Sequence, residues 1–475
     1  MKLKLIKHVI VVLAVVIMTG SIQGCGNMNA KSAKDNLKAQ KIRQVDRDNI
    51  RIWARGSGPD PGINAIINKF NASQSAIKAE YEFFGENYAS LVQLALAAEN
   101  APDVFEANTG LTVVRLAKSG YIISIDDLMS EDLKSKLHQD TLKQKDLYYE
   151  GKLYSIPTRI SAYRLLYNKD LFRKSGLDPE KPPKTLEDMR KYAAQVTKAG
   201  NGEFYGFGLA LGVEEIWNRI IDPINIAMGE GGRYGFDYRT GRFEMSYSKK
   251  LFSYYIDLMR DGSVFPGYAI MGIDPLRANF SQGKVGMYID GNWLVANYAV
   301  QLRINADWDC VPLPVFAGSS AGKYWAEGGV NYVISKTSKC QSGAKKFYRA
   351  LLDGQVAAQK YMPVPRSVIA ANREDAIPVN EMNLKGVKYS FETGDLSIYP
   401  VEPHRFFALQ GDNRDKVFTN LFIKASETRG NIDTELDAAI KDLDIRYNQA
   451  LDRAVRDGLI DISDIRIENY DPFKR

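Results

Sequence analysis

Two hydrophobic periods alternate along this chain. Asn49–Trp53 (NIRIW) sets Ile50 and Ile52 two apart, the spacing of a strand with one covered face. Ile63 to Phe70 then carries apolar residues three and four apart, which predicts a helix. Ala79 to Phe84 reads as a second strand, Ala89 to Ala98 as a second helix and Asp103 to Glu106 as a third strand. Strands and helices in alternation, joined by short loops such as the Gly-Pro turn after Arg55, predict an α/β layered sheet with ligands at the strand C-ends.

The pattern continues beyond the first hundred residues. An apolar strand is expected over Pro157 to Tyr167, followed by a Pro-rich loop and a helix that Thr185 caps with Asp188 three residues on. Ser248 to Met259 is amphipathic. In VGMYIDGNW, Val285, Met287 and Ile289 alternate with Gly286, Tyr288 and Asp290, and Gly291-Asn292 supplies turn chemistry before Trp293. Strands follow in DCVPLPVF and from Asn331 to Ser335, and the last hundred residues are mainly helical, with Leu436, Ala439, Ile440, Leu443 and Tyr447 on one face.

The N-terminus adds that the chain is exported. Lys2, Lys4 and Lys7 precede an apolar run from Val9 to Met18 that is too short to span a bilayer and has the size and flanks of a secretion signal. Ile22-Gln23-Gly24-Cys25 resembles the lipobox of bacterial lipoproteins, which implies cleavage after residue 24 and acylation of Cys25. More than one acyl chain on that residue gives stable anchoring without insertion of the chain. Residues 25–49 hold scarcely any large apolar side chain and suit a flexible tether.

Charge and composition narrow the classes further. The formal net charge of +6 falls by three when residues 1–24 and their lysines are removed, and no basic stripe remains, so nucleic acid is not an expected partner. With three His in the chain, no His-Glu-x-x-His and no Cys-x-x-Cys, neither a metal site nor a cofactor is expected. GEGGRYG, 229–235, lacks the strand-then-helix context of a dinucleotide site and reads as a turn. Cys310 and Cys340 are the only cysteines beyond Cys25; a disulfide between them is allowed but not forced. About 425 residues after the tether exceed one core, so two lobes are expected.

Four separated stretches carry a resemblance to a known family. APDVFEAN (101–108), YSIPTRISAYRLLYNKDLFRKSGL (154–177), FSQGKVGMYIDGNW (280–293) and EGGVNYVISKTSKCQSGAKKFYRALL (327–352) resemble, in order, motifs of the family 1 extracellular solute-binding proteins, the maltose-binding-like receptors of ABC importers. The resemblance implies a type II periplasmic-binding-protein fold: two α/β lobes joined by a hinge that the chain crosses more than once, near Arg159 to Tyr163 and near Ala326 to Asn331. The lobes expected are residues 50–160 with 331–375, and 161–330 with 376–475. Residues 353–400 are longer and richer in Pro and Asn than in short members, which leaves their path open.

A sugar site needs aromatic faces for apolar C–H surfaces and carboxylates, amides and guanidinium forks for hydroxyls. The pattern alone leaves Trp293 divided between core aromatic and platform; the family's Trp at this motif implies a platform, with Asn292 beside it as a hydroxyl partner. Trp325 and Glu327, just before Gly328-Gly329, are expected contacts, as are Arg159 and Tyr163 at the first crossing and Arg55 after the first strand. Trp217 stands where the family places aromatic contacts, with core packing as the alternative. Trp53, Glu214, Glu215 and Asp103 read as structural, and Phe406-Phe407 as core or a late aromatic wall.

The expected function is a lipid-anchored, monomeric receptor on the outer face of the cell membrane, which captures an oligosaccharide between closing lobes and delivers it to ABC permease subunits without chemistry. The alternatives are the same role for a peptide or polyamine, and a secreted carbohydrate-active enzyme; the last needs two carboxylates facing each other across a cleft, and the sequence nominates no such pair.

Overall fold

The computed structural model describes residues 48–471 except 57–59, 86, 108–110, 136, 138–140, 214, 293, 295–303, 305, 359–395, 399–402, 408 and 429, and also describes residue 473. The expected signal, Cys25 and Trp293 lie outside these residues, as does the expected tether apart from Asp48 and Asn49, which already belong to the first strand.

The first elements follow the expected alternation. They are β1 (Asp48–Arg55), α1 (Pro61–Ser73), β2 (Ile77–Phe84), α2 (Tyr88–Ala97) and β3 (Val104–Ala107). Asp60 caps α1 by accepting from the backbone N–H groups of Gly62 and Ile63 at 2.9 and 3.0 Å. β1 pairs in parallel with both β2 and β3, which aligns their C-terminal ends at one edge of the sheet. Asp103 ties β1 to β3: its carboxylate accepts from the N–H of Arg51 at 2.7 Å and from the Ser338 hydroxyl at 2.5 Å, the structural part read from the sequence.

The second half comprises β4 (Pro157–Asn168), α3 (Leu186–Gly200), β5 (Tyr205–Phe207), α4 (Ile216–Ile220), α5 (Asp222–Met228), α6 (Lys249–Arg260), β6 (Val285–Gly291), β7 (Trp308–Val311) and β8 (Tyr324–Ser335). The Thr185 hydroxyl accepts from the Asp188 N–H at 3.0 Å, so the expected cap starts α3. α3 crosses β5 so closely that a Cβ on Gly206 would stand 2.0 Å from the Ala193 carbonyl oxygen; only glycine fits there. After β8 come α7 (Gln341–Ala358), β9 (Leu396–Ile398), α8 (Arg414–Thr428) and α9 (Asp433–Arg456). α7 packs on α1 and β1, whereas α8 packs on α4 and α6 and α9 packs on α8.

Among the described residues one sheet of ten strands organises the chain, with the path β2-β1-β3-β8-β4-β6-β5; β7 adds to β4, while β9 and Ile122–Ile123 add to β8. β8 faces β3 only from Asn331 to Ile334 and faces β4 from Ala326 to Asn331. β4 in turn faces β8 through Ala162, and faces β6 from Tyr163 onward. Between the two halves of the sheet the link is therefore a two-stranded antiparallel ribbon. β8 begins at Tyr324, seven residues before the strand expected at Asn331, because the ribbon supplies partners that no local pattern announces.

β6 is buried at every position. The alternation read from its sequence is overridden because both faces of this strand are covered. Its Asp290 is fully buried, and Arg277 answers its charge with hydrogen bonds of 3.0 and 3.3 Å. The two later cysteines, Cys310 and Cys340, are free.

Candidate functional site

The ribbon brings the expected crossing residues together. Tyr163 is the first residue of β4 to face β6, and its partner there is Gly291, which has no side chain. Gly328 and Gly329 face Ile160 and Arg159 across the ribbon. Val330 follows with φ of 58°, a conformation that β-branched residues avoid, and the regular pairing skips it. The Thr158 hydroxyl donates to its carbonyl at 3.0 Å.

At this junction the Tyr163 ring stacks on Trp325, with centroids 6.1 Å apart and planes inclined by 22°. The guanidinium of Arg233 lies 4.4 Å from the centroid of the same indole, within cation–π range. Arg233 is delivered by the Gly-rich stretch that reads as a turn: Gly231, Tyr234 and Gly235 all take positive φ, and the Tyr234 N–H is held by Asp222 at 3.0 Å. Trp325 is 1% exposed, so in this conformation it is not an open platform. Tyr163 is also buried.

Asn292 closes the ladder where the strands change partner. Its N–H donates to the Ala162 carbonyl at 2.9 Å, and its side-chain oxygen accepts from the Ala162 N–H at 3.4 Å. The side chain read as a hydroxyl partner thus extends the sheet hydrogen bonding. Arg159 and Glu327 lie on the ribbon, Glu327 opposite Ser161. Arg55 stands exposed at the C-terminal end of β1, its N–H donating to Glu106 at 3.1 Å.

Trp217 belongs elsewhere. It is fully buried among Phe252, Tyr255, Phe418 and Phe422, and its indole N–H donates to the Thr419 hydroxyl at 3.0 Å, so the core alternative describes it. The rings contact across α4, α6 and α8, a meeting that sequence spacing does not reveal. Phe406 is likewise buried, and Phe407 packs edge-on against Phe243.

Sequence reasoning passed over Arg219 and Arg233. Arg219 sits on α4 where that helix packs on β6, and the fields of Tyr163, Asp290 and Glu215 reach it. Burial lowers its pKa, but those fields more than offset the effect and leave it raised. A detectable signal existed for Arg233 in its Gly-rich turn; Arg219 had none. Among the described residues no group of three or more His, Cys, Asp or Glu is placed to hold a metal ion, and no helix is long and apolar enough to cross a membrane.

The sequence profile of the bacterial extracellular solute-binding proteins matches residues 56–357. An ABC transporter extracellular-binding protein of Pyrococcus horikoshii is 23% identical over 301 residues, covering 61% of this chain and 65% of that protein. The sn-glycerol-3-phosphate-binding periplasmic protein of Escherichia coli K12 is 24% identical over 331 residues, 66% of this chain and 73% of the relative. An ABC substrate-binding protein of Listeria monocytogenes, solved in complex with cycloalternan, superposes with a TM-score of 0.63 at 18% identity, over 84% of this chain and 98% of that one. That superposition shows the two-lobed α/β fold. By the profile over most of its length, the chain belongs to the bacterial extracellular solute-binding proteins.

Proposed function

We propose that this protein is the substrate-binding component of an ABC importer, held on the outer face of the cell membrane by lipid on Cys25, and that it captures an oligosaccharide between two closing lobes for delivery to the permease. The observation that carries this reading is the two-stranded ribbon with Tyr163 and Trp325 stacked where β4 changes partner. A ribbon of two strands bends more easily than the sheets it joins, as the hinge of two closing lobes must, and the buried Tyr163–Trp325 stack holds its two strands together. The names of the relatives, and the cyclic sugar bound by the Listeria protein, support the same role. The lobes are residues 50–160 with 331–375 and 161–330 with 376–475, and the working form is a monomer.

A ligand stabilises closure only by its excess affinity for the closed state. A thermal-shift screen of residues 25–475 therefore raises the melting temperature with some oligosaccharide, which is recovered unaltered. Release of shorter sugars at enzymatic rates overturns the receptor role, and a shift with peptides or polyamines alone overturns the cargo. Trp293→Ala abolishes the sugar shift with little effect on the unliganded melting temperature. Cys25→Ser in the full chain moves the protein from the membrane fraction to the medium; retention in the membrane overturns the anchor.

A further inference from the structure

We propose that Val330 is the pivot of lobe closure, its backbone leaving the left-handed region when the two halves of the sheet turn about the ribbon; this rests on the closing-lobe reading. β8 faces β3 from Asn331 to Ile334 and β4 from Ala326 to Asn331, so at Asn331 the strand passes from one half of the sheet into the ribbon. Beyond Asn331 the strand is pinned. The Tyr332 carbonyl accepts from the Ser155 and Tyr348 hydroxyls at 2.8 and 2.9 Å, and the Tyr348 hydroxyl accepts from the Ile156 N–H at 3.2 Å, which joins α7, β8 and the approach to β4 in one buried junction. Before it stand Gly328 and Gly329, with no side chains to resist a turn. A few residues absorb the backbone change of a hinge, and here the change falls between the glycines and the junction, at Val330.

Two unfavourable features meet at this point. Val330 holds φ at 58°, where a β-branched side chain crowds its own backbone. The next residue, Asn331, is buried, and its Oδ1 has no hydrogen-bond partner among the described residues. Its opposite number on β4 is Pro157, which has no N–H to offer. A strained backbone beside an unpaired buried carbonyl marks an arrangement imposed by the surrounding packing and not favoured by its own residues. A second arrangement of the lobes, with Val330 in the β region, removes the strain and moves Asn331 relative to Pro157. The strain therefore weights the balance against the arrangement described here by about five- to thirtyfold. A ligand that selects either arrangement works with or against that weight.

The test is double electron–electron resonance on residues 25–475, with Cys25, Cys310 and Cys340 replaced by Ala and spin labels on Glu131→Cys in the first half and Lys181→Cys in the second, both exposed positions. Distances are recorded for the protein alone and with neutral hexose trisaccharides. Two separations are expected, one of them that of this structure. Val330→Gly, with no Cβ to strain, is expected to shift the ratio towards this structure's separation by about five- to thirtyfold. Val330→Asn tolerates the left-handed region, shifts the ratio the same way by less, and serves should the Gly variant fail to fold. Val330→Thr, β-branched like Val, leaves the ratio unchanged. If the Gly and Asn variants keep the wild-type ratio, or Thr shifts it as far as Gly, the pivot is overturned while the closing-lobe reading stands. If every chain shows one and the same separation with and without sugar, the lobes do not close, and that reading fails together with this proposal.

Discussion

The ring of Tyr163 stacks on that of Trp325, so the first β4 residue to face β6 is packed against the residue of β8 that precedes the ribbon, just before its first β4 partner, Ala326. One aromatic contact thereby ties both ribbon strands together at the point where the sheet changes partners.

The stack has a stability consequence. Trp325→Ala removes a ring that is almost wholly buried and should lower unliganded stability by about 3–5 kcal/mol, read as a fall in the urea midpoint. A midpoint within experimental error of wild type would mean that the indole is not packed there, and that its weight lies with ligand alone.

The polar core holding α8 makes a second test. Arg414 is fully buried and donates to Asp222 at 2.5 and 3.0 Å and to the Asn218 side chain. Arg414→Met leaves the Asp222 carboxylate without its cation, although Tyr234 N–H still donates to it, so unfolding free energy should drop by about 3–5 kcal/mol. Since Asp222 is the group left unpaired, the double change Arg414→Met with Asp222→Leu should recover part of that loss.

Val330 tests the ribbon. Its φ of 58° costs a β-branched residue about 1–2 kcal/mol. Val330→Gly relieves that strain but frees the unfolded chain, so stability should rise by no more than about 1 kcal/mol or stay level, despite the lost isopropyl group. A clear drop in melting temperature would show that the valine side chain outweighs its backbone.

Asp444 gives a pH dependence. Burial pushes its carboxyl up from 3.8 to about 6, against the Met245 N–H that donates to it at 2.6 Å and with the help of the Glu244 charge. The folded state then holds the proton more tightly than the unfolded one, so this group's contribution is fully present below pH 3.8 and is lost as pH rises towards about 6. Asp444→Asn abolishes the titration. The difference in melting temperature, wild type minus variant, should fall between about pH 4 and 6 and be flat above; a difference that rises with pH would reverse the sign of the shift.

Local rules determined much of this protein from sequence. The Thr185 cap, the period-two strand at Ile50 and Ile52, and the backbone role of Asp103 are properties of neighbouring residues and their propensities, so they were legible one stretch at a time. So was the family, since its motifs are linear. Tertiary structure decided what lies across space. It sent Trp217 into the core because α6 and α8 bring four rings around it, and it turned Asn292 into a rung of the sheet because β4 changes partners at Ala162. It also set Arg233 against the Trp325 ring of the Tyr163–Trp325 pair. Periodicity reports which face of an element is covered, while the partner that covers it is fixed only when distant segments pack, and there the candidate site was made.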